Sequence, residues 1–315
     1  MVEKTFNKGD VIFKENDLGN TFYKITAGSV AITALNNSKE EEELTVLEKG
    51  AYFGEMAIIE VYPRSATATA NEDGTAVEEY TVEDLSDSFA NDPEEIENII
   101  IALGTRLEEL TNDYTEAQNI VRSYELADKE EKKALFPKLK KYADKKKAEG
   151  KTGKLRHHHD VDRNYARNVK EYPAGAVICK EGEPGNEMYD ICWGSIGIYE
   201  GYGTPDEIRL TVLEEGTFFG ELALLGETTR TATAVVLSDN AGVESISRDD
   251  LRELGEKNPA KVYMILEHIS SRVRVLTNQY LEICGLAAEL AALQDEEIPD
   301  DLKARVKEMK NKIYG

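Results

Sequence analysis

Positive charge is in short supply in this 315-residue chain: 38 Lys and Arg stand against 61 Asp and Glu, for a formal net charge of −23. That balance opposes nonspecific attraction to nucleic acid or to an anionic membrane, since both require a basic surface. Long apolar runs are missing as well. No stretch approaches the roughly 20 apolar residues that span a bilayer. The opening MVEKTFNKGD has no apolar run behind its charges, so a secretory signal is not expected. Cysteine is limited to Cys179, Cys192 and Cys284, an odd number without C-x-x-C spacing. Cys179 and Cys192 fall in apolar, strand-like runs that suit buried, reduced thiols. Together these absences lead to the expectation of a cytoplasmic protein with no nucleic-acid or membrane partner.

Histidine is scarce too. The four histidines are the triplet His157, His158 and His159 and the isolated His268. A barrel metalloenzyme needs two or three inward His ligands, and adjacent histidines in a loop do not make a fixed site. No Ser/His/Asp or Cys/His nucleophile arrangement suggests itself. The expectation is therefore a protein that is not an enzyme and holds no metal or resident cofactor.

What is present is one segment twice. FGEMAIIEVYPRSATATA at Phe53–Ala70 returns as FGELALLGETTRTATAVV at Phe219–Val236, 166 residues later. Gly9, Gly28, Leu44, Gly50, Glu55, Arg64, Pro93, Arg106 and Tyr114 recur without a gap as Gly175, Gly194, Leu210, Gly216, Glu221, Arg230, Pro259, Arg272 and Tyr280. A constant offset over that span means two copies of one domain.

Each copy opens with short β-branched runs punctuated by Gly, Asn and Asp, the pattern of a jelly roll or sandwich. The period then changes. Asn91-Asp92-Pro93 supplies a helix start, with Asp92 as the cap. Apolar residues from Ile96 to Tyr114, and again from Val262 to Tyr280, follow at three- and four-residue steps. The predicted fold is mainly β with α: two tandem jelly-roll β-barrels, each followed by a long helix. The predicted domains are 1–126 and 165–290, joined by a basic, partly helical linker at 127–164 and followed by an acidic, helical tail at 291–315. From Asp128 to Arg156 the linker carries twelve basic and five acidic residues. It reads as a solvated connection, or as a docking surface for an acidic partner or for the acidic face of the chain's own domains.

The repeated motif carries chemistry. A tight Gly-Glu turn opening a short helix points several backbone N–H groups one way, and those donors suit a phosphate oxygen. An Arg nine residues after the Glu, on the next strand, can return to the same spot with a two-pronged hydrogen bond. The Glu repels phosphate, and its natural partner is a hydroxyl pair such as a ribose offers. Small residues around each Arg (Ser65, Ala66, Thr67; Thr231, Ala232, Thr233) allow close backbone approach. A purely structural alternative exists: the Gly-Glu forms a turn and the Arg is its salt-bridge partner. Recurrence at identical spacing favours the binding reading.

The motif resembles the phosphate-binding cassette of the cyclic-nucleotide-binding domain family, whose members include the bacterial catabolite activator and kinase regulatory subunits. The likeness covers roughly 4–119 and 169–284. It implies that Glu55 and Glu221 bind the ribose 2′-hydroxyl and that Arg64 and Arg230 bind the cyclic phosphate. Amides at Gly54, Met56, Ala57 and at Gly220, Leu222, Ala223 would complete the cradle, and Ser65 and Thr231 would sit near phosphate and base. Tyr114 and Tyr280 are candidate base caps, with a place in the apolar helix face as the alternative. Two departures stand out: Glu60-Val61 and Gly226-Glu227 replace the usual aromatic and glycine, and the second copy lacks the proline that Pro63 supplies before Arg64.

Beyond the second helix, 285–315 is too short for a winged helix-turn-helix, which disfavours a DNA-binding activator. The resemblance thus implies a two-site receptor for cAMP or cGMP that switches an unknown protein partner, and a homo-oligomer is compatible with it. The competing reading is a scaffold that keeps the fold for protein docking without binding nucleotide.

Overall fold

A computed structural model of the chain describes residues 2–19, 21–35, 41–54, 64, 66–81, 84, 93–143, 169–225, 228–293 and 297–308. The first repeat forms β1 (Val2–Phe6), β2 (Val11–Phe13), β3 (Phe22–Ala27), β4 (Val30–Leu35), β5 (Glu41–Leu47), β6 (Tyr52–Phe53), β7 (Thr67–Ala70) and β8 (Thr75–Tyr80). The helices α1 (Pro93–Leu126) and α2 (Lys129–Ala143) follow. The second repeat forms β9 (Val169–Pro173), β10 (Val177–Cys179), β11 (Pro184–Gly185), β12 (Glu187–Trp193), β13 (Ser195–Glu200), β14 (Ile208–Glu214) and β15 (Phe218–Phe219). After a 3-10 turn at Glu221–Leu225 come β16 (Thr228–Thr229), β17 (Thr233–Val236), β18 (Asn240–Ser247), α3 (Arg248–Lys257), α4 (Pro259–Leu293) and α5 (Asp300–Glu308).

The duplication extends to hydrogen-bonding register. Sheets ordered β1-β8-β3-β6 and β2-β7-β4-β5 in the first repeat match β9-β18-β12-β15 and β10-β17-β13-β14 in the second. Irregularities recur at the same places: Val11/Phe13 with Val177/Cys179, Ile25/Ala27 with Ile191/Trp193, and Ile32/Thr33 with Ile198/Tyr199. Bulges re-aim side chains and are kept for that reason. In each repeat both sheets contribute to one core, as Ile25, Val30, Phe53, Ala68 and Val77 do in the first. Ile191, Ile196, Phe219, Ala234 and Val243 do so in the second. The result is a pair of β-sandwiches of jelly-roll type, each made of open antiparallel sheets rather than one closed barrel.

The long helices begin at Pro93 and Pro259, where a missing N–H costs nothing. Asp92, expected as a cap, lies outside the described residues. Ile99, Ile100, Leu103 and Leu107 of α1 and Val262, Ile265, Leu266 and Ile269 of α4 are buried, as the periodicity requires. α3 starts on a capping box in which Ser247 accepts from the Asp250 N–H and Asp250 accepts in return. α2 lies within the basic linker. Asp128 caps it by accepting from the N–H groups of Glu130 and Glu131, both at 2.9 Å, and it buries Leu139 and Tyr142.

The chain divides into two compact units that differ from the two repeats. Unit 1 comprises Met1–Asp87, Leu110–His157 and Arg274–Lys310; unit 2 comprises Ser88–Glu109, His158–Val273 and Asn311–Gly315. The first half of α1 thus belongs with the second sandwich. There Glu97 of α1 is buried and paired with both Arg248 and Arg252 of α3, the latter at 2.9 Å. A Cβ on Gly104 would meet the Leu225 side chain at 2.6 Å, so this glycine lets α1 lie against the 3-10 turn. Among the described residues, no helix is long and apolar enough to cross a membrane.

Candidate functional site

Arg64 and Arg230 are both buried, at 5% and 9% exposure. The same main-chain frame holds each. Arg64 N donates to Asp17 O at 2.8 Å and Arg64 O accepts from Asn16 N at 2.8 Å. Arg230 N donates to Glu183 O at 2.8 Å and Arg230 O accepts from Gly182 N at 2.9 Å. Behind each arginine, Thr67 and Thr233 accept from the N–H of Glu15 and Glu181, both at 3.0 Å. The repeated Ser/Thr-Ala-Thr-Ala string therefore pins the turn that clamps the arginine, in addition to keeping the neighbourhood small.

Two glycines per site make room for the guanidinium. A Cβ on Gly19 would lie 2.6 Å from Arg64 Nη2, and one on Gly185 would lie 2.2 Å from Arg230 Nε. Gly54 and Gly220 adopt φ of 75°, a left-handed conformation, and a Cβ on either would stand 2.7 Å from an arginine Nη1. An aromatic bed completes the fit. Arg64 stacks 4.2 Å from the Phe13 ring and 5.8 Å from that of Tyr23, and Arg230 lies 5.1 Å from the Tyr189 ring.

The arginines differ in their hydrogen bonds. Arg64 Nη1 donates to Gly54 O at 2.9 Å, and its Nη2 donates to Thr21 Oγ1 at 3.2 Å. Arg230 Nη2 donates to Tyr189 OH at 3.4 Å, while its Nη1 is buried with no hydrogen-bond partner among the described residues. Arg230 forms no ion pair among those residues either. A buried guanidinium group without a counter-charge is costly, unless an anion supplied from outside completes it.

The second cassette opens at Phe219-Gly220 and turns at once into the 3-10 helix, with the Ala223 N–H donating to Gly220 O at 3.1 Å. Glu221 is buried at its start. Burial opposes its ionisation, but Arg272 Nη1 at 3.2 Å from Oε1 outweighs burial and holds the carboxyl at about 2. His268 Nε2 lies 3.9 Å from the same oxygen, and its ring packs on Phe218 at 5.6 Å. Leu222 is half-buried, Ala223 is buried, Ala232 is half-buried and Thr231 is exposed. In the first repeat, Gly54, Arg64 and the buried Ala66 are in place. Glu55, Met56, Ala57 and Ser65 lie outside the described residues, as do His157, His158 and His159.

Tyr114 and Tyr280 both fall in unit 1 and are buried, at 1% and 6% exposure. Tyr280 meets Tyr142 of α2 edge-on at 6.3 Å. Burial pushes the Tyr114 hydroxyl up to about 12, with Glu282 adding to it. Tyr280 falls in unit 1, whereas Arg230 and Glu221 fall in unit 2. Reading the sequence missed Gly19, Gly185, Tyr23, Tyr189, His268 and Arg272 as site neighbours. The 166-residue offset that aligns Gly19 with Gly185, Tyr23 with Tyr189 and Arg106 with Arg272 was the available signal.

A second cluster in unit 2 lies at the start of α4. Asp190 and Glu244 face each other across β12 and β18, and the buried Lys261 ammonium binds Glu244 and lies 2.7 Å from Asp190. Burial alone would depress Lys261, but the two carboxylates hold it above its ordinary value. Cys192, pushed up to about 11 by burial and then by Asp190, has a sulfur that lies with those carboxylates inside a 4.8 Å group. The place of a cation there is taken by Lys261.

Fold and site together define a tandem of jelly-roll sandwiches, each with a buried arginine closely flanked by glycines. A family model described as the cyclic nucleotide-binding domain matches residues 3–81 and 169–258, and the chain belongs to that family. Among its relatives is the cAMP-dependent protein kinase regulatory subunit of Dictyostelium discoideum, 25% identical over 247 residues, covering 78% of this chain and 62% of that protein. The regulatory subunit from Blastocladiella emersonii is 24% identical, covering 74% of this chain and 47% of its own length. The cGMP-dependent protein kinase of Plasmodium berghei is 26% identical, covering 73% of this chain and 21% of its own length. The chain thus spans about half the length of the regulatory subunits it matches. A solved structure described as cAMP-bound PfPKA-R (141–441) is 24% identical, covers 82% of this chain and 75% of that one, and superposes with a TM-score of 0.32.

Proposed function

We propose that each repeat binds one cyclic nucleotide, cAMP or cGMP, and that the pair acts as a non-catalytic receptor whose occupancy regulates a protein partner. The observation that carries this reading is Arg230, enclosed by Gly185, Gly220 and Tyr189, with Nη1 unpartnered among the described residues. A cyclic phosphate supplies the missing negative charge and two oxygens for the guanidinium fork. Glu221, held ionised by Arg272, accepts the ribose 2′-hydroxyl, and the amides of Gly220 and Leu222 serve the phosphate, joined by that of Ala223 once it leaves Gly220 O. Arg64 takes the same part in the first repeat, with Gly54, Glu55, Met56, Ala57, Ser65 and Ala66 as its cassette. The receptor domains are 1–126 and 165–290, and the protein is placed in the cytoplasm. Arg272, one contact from the ribose, connects occupancy to α4. A coupling of this kind requires different affinities in two states of the helix.

Thermal melting of the full chain with cAMP, cGMP and linear AMP tests the proposal. A site-specific ligand at 100 times its dissociation constant adds about 2.7 kcal/mol of stability, so a clear upward shift with a cyclic nucleotide and none with AMP is expected. Absence of any shift, confirmed by calorimetry, would leave the docking-scaffold reading in its place.

A further inference from the structure

The second site contains one side chain that the duplication does not explain. His268 on α4 turns its ring onto Phe218 of β15 and its Nε2 toward the Glu221 carboxylate in the 3-10 turn. That nitrogen is buried and has no hydrogen-bond partner among the described residues. The 3.9 Å from Nε2 to Glu221 Oε1 is too long for a direct hydrogen bond, but one hydroxyl oxygen can stand within hydrogen-bond reach of both atoms. Among the described residues, the charged group recorded against this histidine is Glu221, from the turn, which is also paired with Arg272, one helical turn further along α4. The equivalent position in the first repeat is Ala102, which offers neither donor nor charge.

We propose that His268 is a further ligand-contacting residue of the second site: its Nε2 hydrogen-bonds the ribose hydroxyl that Glu221 holds, a contact the first site lacks. The inference rests on the reading that Glu221 takes a ribose hydroxyl. The hydroxyl donates to Glu221 Oε1 and accepts from the His268 Nε2–H, so one ligand oxygen bridges the two side chains.

Calorimetry on the full chain separates the possibilities, using cAMP and its 2′-deoxy analogue as probes. An Arg64→Ala background reports the second site, and an Arg230→Ala background reports the first. His268→Ala should lower second-site cAMP affinity about five- to tenfold at pH 7.5. It should leave 2′-deoxy-cAMP affinity unchanged. His268→Gln, which keeps a hydrogen-bonding nitrogen, should restore the affinity. An equal loss for both nucleotides, or no loss for cAMP, overturns the assignment and makes His268 a packing residue. Failure of cAMP to bind in either background at any pH overturns the receptor reading itself, and the role of His268 with it.

Discussion

The two repeats share a main-chain frame and differ in what surrounds the enclosed arginine. In the first, Tyr23 OH donates to Glu79 Oε1 at 2.9 Å, so Arg64 turns to Thr21 and to Gly54 O. In the second, Ser245 stands where Glu79 would be and Glu187 where Thr21 would be. Tyr189 OH is then available to accept from Arg230, and Cys179 replaces the Phe13 ring. The sheets diverge in the same manner. Lys24 faces Glu78 across β3 and β8, an opposite-charge pair that balances itself. Asp190 faces Glu244 at the equivalent place, a like-charge pair that stands only because Lys261 reaches in from α4. Backbone geometry, fixed by turns and bulges, survived duplication; side-chain partners did not. The frame decides where each arginine sits, and the partners decide how strongly it is occupied before a ligand arrives.

The contrast is broken most severely by removing the arginines themselves. Arg64→Ala and Arg230→Ala should each weaken nucleotide binding at their own site by about 2–5 kcal/mol, as expected for a buried phosphate that loses its charged partner. Calorimetry should count one remaining binding event in each single mutant and none in the double. Undiminished affinity in the double mutant would remove the cassette assignment from both repeats. Lys261→Met tests the sheet asymmetry next. It strands two facing carboxylates and should cost about 3–5 kcal/mol by denaturant unfolding, whereas Lys24→Met should stay within about 1 kcal/mol. Equal costs at the two positions would show that the like-charge pair does not depend on Lys261.

Tyr280→Ala and Tyr114→Ala should lower ligand-free stability by at least about 3 kcal/mol, the cost of removing a large buried ring. They should change nucleotide affinity less than about twofold. A large affinity loss with stability intact would instead assign these rings the role of base caps. The smallest effect concerns acid. Glu221 is held near 2 in the folded chain against an ordinary 4.5, so its contribution is complete above pH 4.5 and is lost as pH falls toward 2. That contribution is on the order of 3 kcal/mol. Unfolding midpoints between pH 5.5 and pH 3 should therefore fall more steeply for the wild type than for Glu221→Gln. Parallel slopes would show that Arg272 does not hold the carboxylate ionised.

Much of the architecture was legible because duplication writes itself twice. The constant offset and the paired Pro93 and Pro259 each correspond to observed elements, and Gly220-Glu221 opens the 3-10 turn of the second repeat. Contacts between distant elements were harder to see. His268 sits on a helix whose periodicity describes its apolar face and says nothing of what reaches the cassette. Lys261 reads as an ordinary surface lysine in a first helical turn, because its burial depends on carboxylates 17 and 71 residues away in sequence. Tyr280 kept two readings open, since spacing along a helix does not reveal which neighbour its ring meets.

Glu97 bears on how the protein can be taken apart. Its carboxylate comes from the sequence of the first repeat, yet the two arginines that grip it, Arg248 and Arg252, belong to the second sandwich. Expressing 165–290 alone would discard Glu97 and Gly104 together. The fragment would carry two uncompensated guanidinium groups and a bare Leu225 where helix had lain. A binding failure in that fragment would report the loss of a borrowed helix and would say nothing about Arg230. The fragment suited to studying the second sandwich must therefore bring 88–109 with it, supplied on a tether or in trans as a peptide.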